Sequence, residues 1–243
     1  MLADAILRIA DSWWARDFAR DPGDLRPTNT LVQAHAGELS GNAGIWILVV
    51  GPYPLVSMPA AMLPGLGERA LRWTRSTVED PARLAEQLTP MSVAEIIGPA
   101  YIGYAGRDSL RAPPASSARP LNEGDAAAVA TLRRQCTGEE WEHGGSDLAK
   151  VHTFGSFDVD GGLAALAGYE VWLDTIAHIS IVSVPTRRGR GHGAAAVALA
   201  AEHALRAGLL PQYRTLKANG PSVRLAEKLG FQEYGFSTYV KLR

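Results

Sequence analysis

The chain has 243 residues, 47% of them hydrophobic, which is enough for a packed core and for one large or two small domains. Its 24 basic and 25 acidic residues nearly cancel and are interspersed, so the charge calls for neither nucleic acid nor an anionic membrane as partner. The single cysteine, Cys136, excludes an internal disulfide, points to a reducing compartment and sits in no pattern typical of a covalent nucleophile.

The N-terminus carries Asp4 and Asp11 where a secretory leader needs basic residues, and no apolar run reaches the roughly 20 residues that span a bilayer. The expectation is a soluble, cytoplasmic protein. Ala5 to Phe18 reads as a helix with Leu2, Ile6, Ile9 and Trp13 on one stripe. Segments 45–50 and 55–58 read as a hairpin across Gly51-Pro52-Tyr53-Pro54. Two short helices are expected near 66–75 and 81–87, the second capped by Asp80, and then a strand over 95–104. No catalytic motif appears in 1–110. Residues 111–118, rich in proline and small polar residues, read as a linker to a second domain over 119–243.

In that second part, Asn122 or Asp125 opens a helix that runs through Arg134, and 139–147 is a loop or short helix. Segments 151–158 and 163–172 form a hairpin across Asp160-Gly161-Gly162. A strand over 176–184, a helix over 194–207, a strand over 213–217 and a helix over 222–229 follow. Strands at 231–234 and 237–242 close the chain. The fold class is α/β (α+β), a central mixed, mostly antiparallel sheet flanked by helices, plus a smaller α/β domain at the N-terminus. No closely spaced cysteine–histidine pattern is present, so no metal site is expected.

The richest segment is Val184 to Gly193. A β-branched strand feeds the turn Arg187-Arg188-Gly189-Arg190-Gly191-His192-Gly193, which feeds an alanine-rich helix from Ala194. Glycines let backbone N–H groups approach a ligand, and a helix N-terminus attracts anions, so residues 188–194 are expected to hold a phosphate-bearing cofactor. Gly189-x-Gly191-x-x-Ala194 also satisfies a loose dinucleotide fingerprint. Against that, the run lies late in the chain and no acid closes the next strand to grip a ribose.

The spacing Arg188-x-x-Gly191-x-Gly193 resembles the acyl-CoA signature of the GNAT superfamily of N-acetyltransferases. Asn219-Gly-Pro-Ser222-Val-Arg-Leu225-Ala226-Glu227-Lys228-Leu229-Gly230-Phe231 resembles the family's later motif. The resemblance covers residues 118–243; the order of elements before it is similar to bacterial two-domain GNAT proteins whose first half is a degenerate GNAT-like partner. It implies acetyl-CoA as acyl-donor cosubstrate, held by Val182, Ser183, Val184, Arg188, Gly189, Arg190, Gly191, His192, Gly193, Ala194, Asn219 and Ser222. It further implies a strand that splays from its neighbour beside the pantetheine, and an oxyanion donor in a backbone N–H near Val182. One departure stands out: the family's frequent tyrosine, which protonates the departing thiolate, is Ala226 here.

An amine acceptor arrives as ammonium and must lose a proton before attack, so a general base or a water chain leading to one is needed. Glu139, Glu140 and Glu142 flank Trp141, a set suited to holding a cationic amine, or to a solvated helix end. Glu140 and Glu142 are candidate catalytic carboxylates, and Glu139, Trp141 and Glu170 candidate acceptor contacts. His178, mid-strand, is the third candidate base; it shares a face with Ser180, and alternation alone does not say which face meets a cleft. The reading is an acyl-CoA-dependent N-acyltransferase acting on a primary amine of a small cationic molecule or peptide, with a homodimer left open. The alternatives are a catalytically inactive CoA-binding regulatory or scaffold protein, and transfer of a longer acyl chain.

Overall fold

A computed structural model describes residues 2–111, 113, 118–146, 148 and 152–243. The chain runs through α1 (Asp4–Asp17), β1 (Leu31–Ala34), β2 (Ile45–Val49), β3 (Leu55–Met58), α2 (Glu68–Ala70), α3 (Arg75–Glu79), α4 (Pro81–Gln87) and β4 (Val93–Tyr104). It continues through β5 (Ala118–Pro120), α5 (Ala126–Gln135), α6 (Gly138–Gly144), β6 (His152–Phe157), β7 (Leu163–Trp172) and β8 (Ile176–Ser183). It ends with α7 (His192–Arg206), β9 (Leu210–Leu216), α8 (Gly220–Lys228) and β10 (Gln232–Leu242). None of the described helices is long and apolar enough to cross a membrane. The fold is mixed α/β with a central mixed sheet flanked by helices.

The chain divides into two compact units. The first takes the residues up to Ile102 together with 215–223 and 233–243; the second takes 103–214 and 224–232. In the first, strands lie in the order β1-β3-β2-β10-β4. The expected hairpin is β2 and β3, antiparallel with Ile47 opposite Val56. Ile45, Ile47, Val49, Val56, Trp73 and Phe236 form its core. Asp80 caps α4 by accepting from the Ala82 and Arg83 N–H groups.

Three expectations in this unit need correction. Helix α1 forms, but Ile9 is 38% exposed, whereas Ala10, Trp14 and Phe18 are buried. The stripe at positions 10, 14 and 18 has equally good helical spacing and carries a fully buried indole, so it outcompetes the one through Ile9. The single helix expected near 66–75 is broken: Thr74 caps a separate α3 by accepting from the Thr77 N–H. The two closing strands are one, β10. Gly235 lies mid-strand, where a Cβ would run into the Val49 carbonyl, so it serves close approach rather than a turn.

In the second unit the order is β9-β8-β7-β6-β5. β5 to β8 are antiparallel and β9 joins β8 in parallel. The helix expected over 194–207 is α7, and its buried alanines, 194 to 196, 198, 200, 201 and 204, let it lie close to the sheet. Val182 and Leu166, paired across β7 and β8, pack with Val129, Leu132 and Trp141 of α5 and α6 on one face. Ile181 and Ser183 meet α7 at Gly193 on the other. The expected linker 111–118 lies for the most part outside the described residues, and its last residue, Ala118, opens β5. Val151, the expected start of β6, and Asp147, the expected end of the 139–147 segment, also lie outside them.

Candidate active site

The glycine turn has the backbone that its composition dictates. Gly189 and Gly191 take φ of 77° and 90°, a region costly for any residue with a Cβ, and nothing stands within 4 Å of the Cβ position at either. Gly191 is the N-cap of α7, so the N–H groups of His192, Gly193 and Ala194 have no carbonyl behind them within the helix. They and the helix dipole make an anion-favouring end on a 15-residue helix. Gly193 packs against the sheet, since a Cβ there would sit 3.3 Å from Ser183 Oγ.

The arginines of this turn are each engaged by the chain itself. Arg187 donates to the Gly162 carbonyl and pairs with Asp158 at 3.5 Å. Arg190 pairs with the same carboxylate at 3.7 Å. Arg188 donates to the Ser183 carbonyl and to the Glu140 carboxylate of α6. His192 Nδ1 lies 2.9 Å from Ser156 Oγ.

Strand β8 has two halves. Ile176 to Ile179 pair in parallel with Leu210 to Tyr213, and the register stops there, leaving Ser180 to Ser183 without β9. Val184 donates to the Ala164 carbonyl, and in the unbroken antiparallel register this fixes Val182 as a residue bonded to Leu166 of β7. The N–H near Val182 assigned as oxyanion donor is therefore turned toward β7. The groups on the open side belong to Ile181 and Ser183. Their carbonyls bear this out: Ile181 O faces Gly144 of α6, and Ser183 O accepts from Arg188.

A cavity of about 900 Å³ opens on the α5 and α6 face of this sheet. Trp141, Glu142 and His143 of α6 line it, with Glu170 and Trp172 of β7 and His178 and Ser180 of β8. Glu123 and Arg133 stand at the α5 side, and the Arg133 guanidinium lies 5.3 Å from the centre of the Trp141 ring. Alternation explains the gathering: His178 is directly opposite Glu170, and Ser180 opposite Gly168, so their side chains share one face. Trp172 stacks on the His178 ring at 4.0 Å between centroids and 13° between planes. His178 Nδ1 is 3.1 Å from Gln212 Oε1 on β9. Burial, with Arg214 nearby, pushes the His178 pKa down to about 4, so the ring is neutral at pH 7.

Residues 126–231 match the sequence model of the family described as Acetyltransferase (GNAT) family. These residues are a GNAT acetyltransferase domain. Among solved structures, a protein of Novosphingobium aromaticivorans placed in the GNAT family is 21% identical, with 64% of this chain and 69% of its own covered and a TM-score of 0.48. A GCN5-related N-acetyltransferase from Kribbella flavida is 18% identical, with 66% of this chain and 62% of its own covered and a TM-score of 0.46. A Drosophila protein is 16% identical over 98% of this chain and 89% of its own, with a TM-score of 0.47. No curated protein matches the chain.

Within the GNAT domain, four of the expected acceptor-side residues come together at the cavity: Trp141, Glu142, Glu170 and His178. Glu139 and Glu140 do not line it. Glu139 is exposed in the first turn of α6. Glu140 is held by the Thr137 N–H and by Arg188, which keep its pKa below the usual carboxylate value and make it an anchor rather than a base. Asn219 and Ser222 belong to the first unit, where the Asn219 side chain accepts from the Ser222 N–H and caps α8. Burial and the nearby Glu140 push the Cys136 thiol pKa up, the reverse of an activated nucleophile. No group of three or more metal-ligating side chains is found among the described residues. Trp172 and Gln212 escaped sequence reading. Trp172 could have been found from the two-residue period that puts it beside Glu170.

The end of α6 lies flush on the unpaired half of β8, where a Cβ on Gly144 would overlap the Ile181 carbonyl. Gly144→Ala is therefore expected to push α6 off the strand and cost roughly 1–3 kcal/mol, as overpacking does. Urea unfolding checks this, and an unchanged midpoint would mean that α6 does not rest on β8.

Proposed function

We propose that the protein transfers an acetyl group from acetyl-CoA to a primary amine of a small cationic molecule or peptide, by direct attack and without a covalent enzyme intermediate. The observation that carries this is the position of β8. Its N-terminal half floors a cavity with three glutamates and two tryptophans, and its unpaired half leads directly into the glycine turn at the start of α7. One strand thus joins an amine-favouring pocket to an anion-favouring helix end.

The residues fit the donor as follows. The N–H groups of His192, Gly193 and Ala194 suit its pyrophosphate, and the outward N–H groups of Ile181 and Ser183 suit carbonyls of an extended amide-bearing arm, their own carbonyls facing Gly144 and Arg188. An N–H on that edge would polarise the thioester carbonyl, a contribution of a few kcal/mol when preorganised. Glu142 and Glu170 would hold the ammonium, with Trp141 and Trp172 as apolar and cation–π walls. His178, neutral at pH 7, always offers an acceptor nitrogen. The ammonium first releases a proton to water, because a ring with a pKa of about 4 is too weak a base to take it; once the neutral amine has bonded to the carbonyl carbon its next proton is acidic and passes to His178. The leaving thiolate has a pKa of roughly 8–9 by analogy with cysteine and departs with help from water.

Ala226 favours a second reading, a CoA-binding protein without turnover. It is fully buried, so no side chain at the family's tyrosine position reaches a thiolate. Calorimetry with acetyl-CoA, using NAD as comparison, followed by thiol release across a panel of amines, separates the two. Micromolar acetyl-CoA binding with amine-dependent thiol release is the expected result. Binding with no release from any amine supports the second reading, and no binding overturns both.

A further inference from the structure

We propose that Gln212 is a positioning residue that fixes the tautomer of His178, with the Tyr104 hydroxyl anchoring the far end of the amide. The catalytic consequence rests on the N-acyltransfer reading above; the tautomer itself does not. Gln212 is the central fact. It is fully buried, it lies mid-strand on β9, and it sits directly opposite His178 in the parallel register. A glutamine with no exposed surface is costly unless its amide is satisfied, and an aliphatic residue would serve the strand better. Both ends of the amide are engaged. Its Nε2 donates to the Tyr104 hydroxyl at 2.7 Å, and its Oε1 stands 3.1 Å from His178 Nδ1. Tyr104 is itself fully buried and cannot exchange this contact for water.

The chemistry then sets the direction. A carboxamide oxygen has no hydrogen, so His178 Nδ1 must be the donor in this contact. The neutral ring is the Nδ1–H tautomer, and Nε2 is left as its acceptor. Trp172, stacked on the ring face, holds the plane while Gln212 holds the in-plane rotation. The cavity thus receives a histidine whose accepting nitrogen is chosen from behind, by residues that do not line the cavity. This device matters because the free side chain prefers the opposite tautomer, in which Nε2 carries the hydrogen and cannot accept.

The test is a ¹⁵N spectrum of histidine-labelled protein at pH 7, with the His178 signals assigned by their loss in His178→Gln. The expected result is Nδ1 protonated and Nε2 bare in the wild type. An Nε2–H tautomer would mean that the amide is turned over and would overturn the proposal without any variant. In Gln212→Leu, close in volume and unable to accept, the ring is expected to move toward Nε2–H. Gln212→Glu, which still accepts, is expected to keep Nδ1–H. Tyr104→Phe, a milder change that removes only the hydroxyl, is expected to give a mixture and serves if the leucine variant fails to fold. Unchanged tautomers in the folded variants would also overturn it. With the best amine, kcat of Gln212→Leu is expected to fall roughly 10²-fold at little change in KM, the scale of a lost acid–base group, with Gln212→Glu retaining more activity. A shifted tautomer with unchanged kcat would uphold the role of Gln212 and instead refute the use of His178 in acyl transfer.

Discussion

Gly230→Ala is expected to destabilise the protein by about 2–5 kcal/mol, a large share of the roughly 5–15 kcal/mol that holds a typical domain together. Two costs coincide at this position. Gly230 takes φ of 87°, and its N–H bonds to the Glu227 carbonyl while the next N–H, that of Phe231, bonds to Ala226. This is the Schellman end of α8, which places the closing residue in the left-handed region. A Cβ would also run into the backbone carbonyl of Ser109, which has no freedom to swing aside as a side chain would. Chemical denaturation measures the sum, and Gly230→Asn separates the parts. Asparagine tolerates the left-handed region better than alanine but carries the same Cβ. If it restored most of the stability, the contact with Ser109 would be ruled out as the main cost.

Acidification should reveal His178. Its pKa is near 4 in the folded protein and 6.5 as a reference, so between these values the unfolded chain binds the proton and the folded one does not. Stability then rises with pH across that window. The contribution is whole above pH 6.5, falls as the pH drops, and is lost by about pH 4, a total on the order of 3 kcal/mol. His203, whose pKa is also lowered by burial and by His152 and Arg206, acts with the same sign. A pH series of urea midpoints on the wild type and on His178→Phe isolates the first term. The wild type should lose more stability than the variant between pH 6.5 and 5, before most carboxylates titrate. Parallel curves would mean that the ring is solvated and protonates normally.

Much of the second unit could be read from the chain because local rules and tertiary needs agree there. The hairpin of β6 with β7, the strand over 176–183, the glycine turn and the helix behind it are strong local signals, and Gly189 and Gly191 do take positive φ. The cavity was half legible. Alternation placed His178 with Ser180, but the side of the sheet they face depends on where α5 and α6 pack, a long-range fact. Gln212 was hidden by Pro211. A proline argues against strand, so the expected strand began at 213, whereas β9 starts at Leu210 and carries the proline early, with its carbonyl accepting from Ala105. Glu140 misled for the opposite reason. Three carboxylates beside a tryptophan look alike in sequence, yet a helix start claims one of them for its own N–H groups. In the first unit, β1 has only four residues and no alternation strong enough to mark it.

Were the turn to bind a phosphate and the cavity an acceptor, the ion pair between Arg188 and Glu140 would tie the two into one thermodynamic cycle. Arg188 stands in the turn suited to phosphates, and Glu140 belongs to the helix whose Trp141 and Glu142 wall the cavity. A phosphate that drew the guanidinium away would free one tether of that helix and change the cavity's affinity by some factor. Linkage requires the cavity's occupant to change phosphate affinity by the same factor. Donor and acceptor would then be reciprocal effectors across a single charge pair, and the size of that factor is what a two-substrate binding matrix, with and without Glu140→Gln, would read.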